Sequence, residues 1–564
     1  MPTDTFSQEA NASGSSTVTL NPNSVKAIDD GGDYIAFAFD SVTIAQGSTV
    51  SEAILTVDVH DASDDAEIVV GCDDSDDAAA LAATSGNISG RTVTTATTTV
   101  TGVDGSQTLE INITASLQEV VNRGGFASGN RVVVILEGQP DDRDNFEIDL
   151  STAGSLEVTH AAAGTPVLQE VTTFTSPTTA GTVDVTWDQA IWDGETPAAI
   201  MVTSIQRDSY NIHNNCSLMV GMATPTESHV CSIAADNDQT TTDTERNSVA
   251  QIVYLIAGNG AVVEQATITV WNATKITFNF TTVHADENIY TLTAIGCEDA
   301  KLCQVSAPST ATTKAETGVG FEPDALIGMS IGHVSNPAVD YGQVLLALGV
   351  ATPTAQQTLA ISSKAAEATS ITDSVFRSGF LHMHINGSDW LTIDVDSFDA
   401  SGFTLDYTAT SAGRLSTVLA LKGVGAKIIV GNQPTTDTTE DRAVGFAPKG
   451  AIGLSAMMPT STAIEADMRA GIGSWDASNS QVCVGVMDED DQSTTDTDRL
   501  IRDTMALQYY DHAQAVKGSC VLSASGTTLT ETWTDTDGTQ REHVWFVLGD
   551  APPDEGAAAL MMLL

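Results

Sequence analysis

Residues 240–246 read TTTDTER, and residues 493–499 read STTDTDR. Acidic side chains crowd before both, in DNDQ at 236–239 and DEDDQ at 488–492. Such a stretch is either a ligand loop or a landmark of a duplicated module, and the choice decides the fold. The surroundings favour duplication. Pro197, Pro323 and Pro448 stand in TPAAIMV, EPDALIGM and APKGAIGL, spaced 126 and 125 residues apart. Gly221, Gly349 and Gly473 follow, then Asp243, Asp373 and Asp496 in TTTDTER, SITDSVFR and STTDTDR. Phe280, Tyr407 and Trp533 come next, spaced 127 and 126, and Gly296, Gly423 and Gly549 close each copy. One order at nearly one period marks tandem repeats. Three modules are expected, at 165–312, 313–430 and 431–552.

Each module reads as β-structure. Phe278 and Phe280 alternate with Thr277 and Asn279, as do Phe403, Leu405 and Tyr407 with their polar neighbours, which is the period of a half-buried strand. STVLALK at 416–422 is a continuous apolar run ending at glycine, the pattern of a central strand covered on both faces. A proline at each module entrance suits a first or edge strand, where a missing N–H costs nothing. Two packed antiparallel sheets fit this length.

Residues 1–160 form a different unit, with alternation in ILTVDVH (54–60), TLEINIT (108–114) and RVVVIL (131–136). One helix is expected there, capped by Ser116 with Glu119 as its capping-box partner and ended at Gly124, with Leu117, Val120 and Val121 on one face. Strands around one short helix predict a jelly-roll-like sandwich. Acid clusters at 61–67, 72–77 and 139–144 fall where turns are expected, and a short linker at 161–164 leads to the repeats. The fold class expected is therefore all-β throughout, closing on an apolar tail at 553–564.

Charge excludes some partners. Seventy-four acidic against 22 basic residues give a net charge of −52, which repels nucleic acid and anionic membrane surfaces. MPTD at the start lacks the basic and apolar segments of a signal peptide, no apolar run reaches membrane-spanning length, and AAALMMLL (557–564) is too short to span. Seven scattered cysteines, among them the close pair Cys297 and Cys303, make no disulfide framework and no zinc spacing, and read as small buried hydrophobes.

The acidic loops offer Asp236, Asp238, Asp488 and Asp490 as calcium candidates. Against an EF-hand, the positions needing Gly and Glu hold Thr241 and Asn247 in one loop and Ser493 and Arg499 in the other. The second copy, SSKAAEATSITD, has lost the acids but retains Asp373, so a structural role is expected: the Asp bonding its own turn, and Arg246, Arg377 and Arg499 pairing with carboxylates. No nucleophile elbow, P-loop or H-E-x-x-H is present, and the HMH at 382–384 has no acid beside it in sequence, so no catalytic residues are assigned and no enzyme is expected. Trp187, Trp192, Trp271, Trp390 and Trp475 fall in or near expected loops, and Tyr509 and Tyr510 are adjacent, which keeps a carbohydrate-binding adhesin open as the alternative.

The motifs GFEPDALIG (320–328), GFAPKGAIG (445–453), STTDTDR and SGFTLDYT (401–408) before LALKG resemble modules of structural proteins from tailed phages and prophages. The likeness covers about two-thirds of the chain and departs from the pattern at GET before Pro197 and at GTTLTETW in the third copy. The stretches 39–57 and 119–136 resemble jelly-roll domains of phage surface proteins and bacterial extracellular proteins. The resemblance implies a virion component without chemistry of its own, a capsid decoration or tail spike or fibre part. Such a protein is made in the host cytoplasm, docks on major capsid or tail proteins, acts as a homo-oligomer with a trimer favoured, and can meet a host-surface glycan. The lack of heptads, collagen triplets and short β-helix repeats favours decoration or a stubby spike over a thin fibre.

Overall fold

The computed structural model describes residues 3–14, 17–20, 25–28, 33–44, 46–62, 67–82, 84, 87–101, 105–138, 146–151, 154–161, 167–206, 209–210, 212–334, 342–459 and 463–550. The linker at 162–164, most of the acid clusters at 61–67 and 139–144, and the tail at 553–564 lie outside them. The described chain is all-β apart from two short helices, and it divides into a unit built on residues 1–164 and a unit spanning 165–552.

In the first unit the strand Thr3–Gly14 serves two groups of strands. Its first half pairs with Ser155–Ala161 and its second with Tyr34–Val42. Phe37, Phe39, Leu55, Val57, Val134 and Leu156 fill the core between them. The helix Thr114–Val121 buries Leu117, Val120 and Val121 as its spacing predicts. Its capping differs from expectation. The N-cap position is Ile113, without a side-chain bond, while Asn112 Oδ1 accepts from Thr114 N at 3.0 Å. Ser116 Oγ instead donates to Ala96 O at 2.6 Å, and Glu119 accepts from Thr95 N and Ala96 N at 2.9 Å each. Both side chains serve the neighbouring 94–96 loop, and Asn122, not Gly124, ends the helix. The acidic turn at 72–77 is matched by arginines: Asp73 pairs with Arg91, and Asp74 and Asp76 pair with Arg123.

The second unit contains the same sandwich three times. In the first copy the inner sheet runs Leu168–Thr175, Ile289–Gly296, Ala199–Ser204, Cys216–Ala223, Ser228–Ala235, Thr244–Val249, and the outer sheet Gly181–Thr186, Lys275–Thr282, Val262–Trp271, Val253–Ile256. The second and third copies repeat both orders, starting from Asp299–Ser306 and Val424–Asn432. Those two first strands begin before the expected boundaries at 313 and 431. Asp299–Ser306 pairs with Leu415–Lys422 of the second copy, and Val424–Asn432 with Arg541–Asp550 of the third, so the copies change over near 298 and 423.

The three copies share one interior. Along Ala325–His333, Ala325, Ile327, Met329 and Ile331 face a core common to all three copies, while Leu326 joins the core under its own outer sheet. Met201, Val220, Leu348, Ile452 and Ile472 meet in the same common core and leave a void of only about 10 Å³ between the copies. That is at the lower limit for one water molecule, so the centre is packed and dry. Inner strands are thus apolar on both faces for a physical reason: one face meets the outer sheet and the other meets the neighbouring copies.

The recurring landmarks occupy matching places. Phe280, Tyr407 and Trp533 stand opposite Gly181, Thr312 and Thr438, the first residues of their partner strands, and all three are buried. Pro197 and Pro323 lie just before the strand that pairs with the closing one, and Pro448 is the first residue of that strand. The first recurring glycine of each copy is required by packing. A Cβ on Gly221, Gly349 or Gly473 would lie 2.2, 1.5 or 1.7 Å from the carbonyl oxygens of Ile252, Phe380 and Ala506.

Candidate functional site: a ring of clasps between the three copies

The TTTD part of TTTDTER lies in the loop after the fifth inner strand, at 236–243, with counterparts at 364–371 and 489–496, and its TER part begins the strand Thr244–Val249. Strand pairing sets the correspondence. Gly221, Gly349 and Gly473 face Val230, Thr358 and Cys483, which in turn face Val249, Arg377 and Arg502. Counting back along the last strand, Asp243 and Asp496 correspond to Ile371. Asp373 corresponds to Glu245 and Asp498, and Arg377 to Arg502. The shared T-D dipeptide therefore aligns the second copy two residues out of register. An isoleucine can replace the Asp because only its backbone closes the loop: Asp236 N, Lys364 N and Glu489 N donate to the carbonyls of Asp243, Ile371 and Asp496 at 3.0–3.1 Å.

The residue before that position performs the joining. Thr242 exchanges backbone hydrogen bonds with the second loop, donating to Glu367 O (2.9 Å) and accepting from Ala366 N (2.8 Å). Ser370 does the same with Gln492 O (2.9 Å) and Asp491 N (3.0 Å) of the third loop. Thr495 returns to the first, with Gln239 O and Asp238 N at 2.9 Å each. The cycle is closed. Each hydroxyl doubles its joint: Thr242, Ser370 and Thr495 donate to the carbonyls of Lys364, Glu489 and Asp236 at 2.6–2.7 Å. The same oxygens accept from Glu367 N, Gln492 N and Gln239 N at 2.9–3.0 Å. Asp238, Ala366 and Asp491 take left-handed φ of 58°, 60° and 57° to aim those amides across the joint. At two joints Asn237 and Asp490 add a side-chain acceptor for Thr497 N (2.7 Å) and Thr372 N (2.8 Å); Ala365 cannot at the third.

Edge strands cross between copies as well. Ile212–Asn214 of the first copy extends the inner sheet of the third beside Thr497–Arg502, and Glu465–Ala466 of the third pairs with Thr372–Ser378 of the second. The corresponding segment of the second copy, 335–341, lies outside the described residues.

The four calcium candidates do not converge. Asp238 is exposed at the joint, and Asp490 is engaged by Thr372 N. Asp236 packs against Gly258, where burial and the neighbouring Asp243 raise its pKa. Asp488 is fully buried and its Oδ2 accepts from Ser363 Oγ of the second copy at 2.7 Å. Burial drives its pKa up to about 7; the Ser363 bond opposes this, and Asp467, Asp490 and Asp496 add to it. A carboxyl so sealed is no open cation ligand. Among the described residues the one group whose His, Asp and Glu donor atoms gather is Glu489, Asp496 and His512, which sequence spacing did not reveal because the turn carrying His512 comes from the outer sheet.

The arginines behave differently from one another. Arg377 pairs with Asp389 and donates to His382 Nδ1 at 2.9 Å, whereas Arg499 reaches Gln206 Oε1 at 3.4 Å. The HMH histidines are both buried, and His382 Nε2 also meets Asp394 Oδ1 at 3.0 Å, an acid supplied from across the hairpin. All seven cysteines are free thiols; six are buried and Cys303 is half-buried. The tryptophans weighed for sugar binding are structural. Trp187, Trp192 and Trp475 are buried, Trp271 Nε1 donates to Pro197 O at 2.8 Å, and Trp390 carries the Arg414 guanidinium 4.6 Å from its ring centre. Tyr509 and Tyr510 are buried too. The three seams between inner sheets are unequal. Val171 N donates to Asp476 Oδ2 (2.7 Å) at one and Lys301 pairs with Glu227 (3.3 Å) at another, while the third opens into a hollow of about 620 Å³ beside Thr352, Phe398, Ile428 and Val430. No described helix is long and apolar enough to cross a membrane. Neither a known protein family nor a curated protein matches the chain.

Proposed function

We propose that this is a non-enzymatic structural protein of a tailed-virus particle, a capsid decoration or stubby spike. It docks on major capsid or tail proteins and presents its β-domains outward. The observation that supports this most is the closed ring of clasps. Three sandwiches are joined through hydroxyls, backbone amides and a dry common core, an arrangement that confers rigidity and presents three similar faces. The internal repetition supplies within one chain what a homotrimer supplies between chains. We therefore take one chain, rather than three, to fill a three-fold position on a lattice. The adhesin alternative draws less support, because the aromatic side chains it would use are packed inside or against the chain's own loops.

Mass spectrometry and cryo-electron microscopy of purified particles test the proposal. The expected result is a fixed ratio to the major capsid or tail protein, with one chain at each occupied three-fold position. Absence from the particles, or a soluble chain that saturably binds host-envelope glycan instead, overturns it.

A further inference from the structure

We infer that Glu489, Asp496 and His512 form a divalent transition-metal site, of which zinc is the representative ion, on the rim of the clasp ring in the third copy alone. One donor atom from each side chain lies within 4.8 Å of the other two. Tetrahedral zinc with bonds near 2.0–2.1 Å holds its donors roughly 3.4 Å apart, so modest side-chain rotation completes three ligands and leaves a position for water. Mixed imidazole and carboxylate donors suit zinc over calcium, which takes oxygen ligands.

A second observation is independent of this clustering. Both ring nitrogens of His512 are shut off from solvent and have no hydrogen-bond partner, although two carboxylates stand beside the ring. Buried polar atoms are normally satisfied, and a metal on one nitrogen would relieve that deficit. The groups facing the ring are Arg469, Glu489, Asp467 and Asp496; Arg469 is itself held by Asp467 at 2.6 Å.

The other copies act as internal controls. Matching the turns of the outer-sheet hairpins, the three positions are Asp236, Asp243 and Gly258 in the first copy, and Lys364, Ile371 and Asn386 in the second. The first copy keeps the acids without the imidazole, and the second replaces one acid by an ammonium group. Only the third combines the donors. Its consequence is local to the ring, because Glu489 also accepts the Ser370 hydroxyl through its carbonyl at 2.6 Å. A metal there would fix the loop that clasps the second copy.

The test uses the full chain, stripped with chelator and titrated with zinc chloride by calorimetry, with thermal melting in parallel. The expected result is one saturable site and a melting temperature that rises with zinc. His512→Ala and Glu489→Gln should each weaken binding at least tenfold, while Asp236→Asn leaves it unchanged. Should His512→Ala fold poorly, Glu489→Gln and the visible spectrum of the cobalt-loaded parent, which reports nitrogen coordination, stand in for it. Absence of saturable binding, or equal binding by parent, His512→Ala and Glu489→Gln, overturns the site.

Discussion

Replacing Asp488 by Asn should make the protein more stable, and increasingly so as pH rises. The carboxyl is fully buried against Ser363, at a place where the other copies carry Ala235 and Ser363, and its pKa stands at about 7 against an ordinary 3.8. A folded-state pKa above the unfolded one means that the folded chain holds the proton more tightly. The group's contribution is complete below pH 3.8 and is lost as pH climbs through about 7. At about 1.4 kcal/mol per pH unit, the full loss approaches about 4 kcal/mol, of which more than half falls between pH 5 and pH 8. Asn has the same shape and no charge to bury, at a constant cost of about 1–2 kcal/mol for its amide where Asp488 Oδ1 now lacks a partner. Urea unfolding of parent and variant at pH 5, 6, 7 and 8 reads the effect of Asp488 and its coupling to Asp467, Asp490 and Asp496, since the carboxylates remote from it cancel in the difference. The advantage of the variant should grow by about 2–3 kcal/mol across that range. A difference that stays flat with pH would show that Asp488 is ionised in the folded protein and would refute the account of its environment.

Other perturbations probe the ring and the sandwiches. Thr495→Val keeps the shape of the side chain but strands Gln239 N and Asp236 O, and should cost about 2 kcal/mol, with hydrogen exchange faster at 236–239 than at the other two joints. Adding Thr242→Val and Ser370→Ala should exceed the sum of the single effects in thermal melts, because the joints form one cycle. Gly349→Ala places a Cβ 1.5 Å from Phe380 O and should cost at least about 3 kcal/mol or prevent folding, as judged by soluble yield and circular dichroism. Glu531 is buried among Arg442, His543 and two indole N–H groups. Burial alone would raise its pKa, but these partners bring it down to about 2, so its contribution is present above 4.5 and lost as pH falls through about 2. Glu531→Ala should therefore cost about 3–5 kcal/mol at pH 7 and much less at pH 2, measured by urea unfolding.

Much of this architecture is legible from residues alone, because strand alternation and glycine spacing are local. STVLALK announces a strand covered on both faces, and it is one. What covers the second face was not legible, since neighbouring copies of the same sandwich and a further sheet demand the same apolar pattern. The register of the second copy is hidden in the sequence for a related reason. Ile371 can stand where Asp243 and Asp496 stand because the position works through its backbone, whereas the hydroxyl of Thr242, Ser370 and Thr495 is the side chain retained. Capping by Ser116 and Glu119 failed because a loop distant in sequence offered those side chains better partners. His512 joined Glu489 and Asp496 only through the stacking of two sheets, which no spacing encodes.

The ends of the ring meet: Val167 N donates to Asp550 Oδ1 at 3.0 Å, so the first strand of the first copy begins beside the last strand of the third. Three copies in one chain therefore form a necklace whose opening is arbitrary. Joining 550 to 167 through a short linker and cutting at Gly423, where one copy passes to the next, would leave every clasp in place. An assembly closed this way is held at a local concentration set by its own chain, so dilution, which dissolves a trimer of separate subunits, leaves it whole.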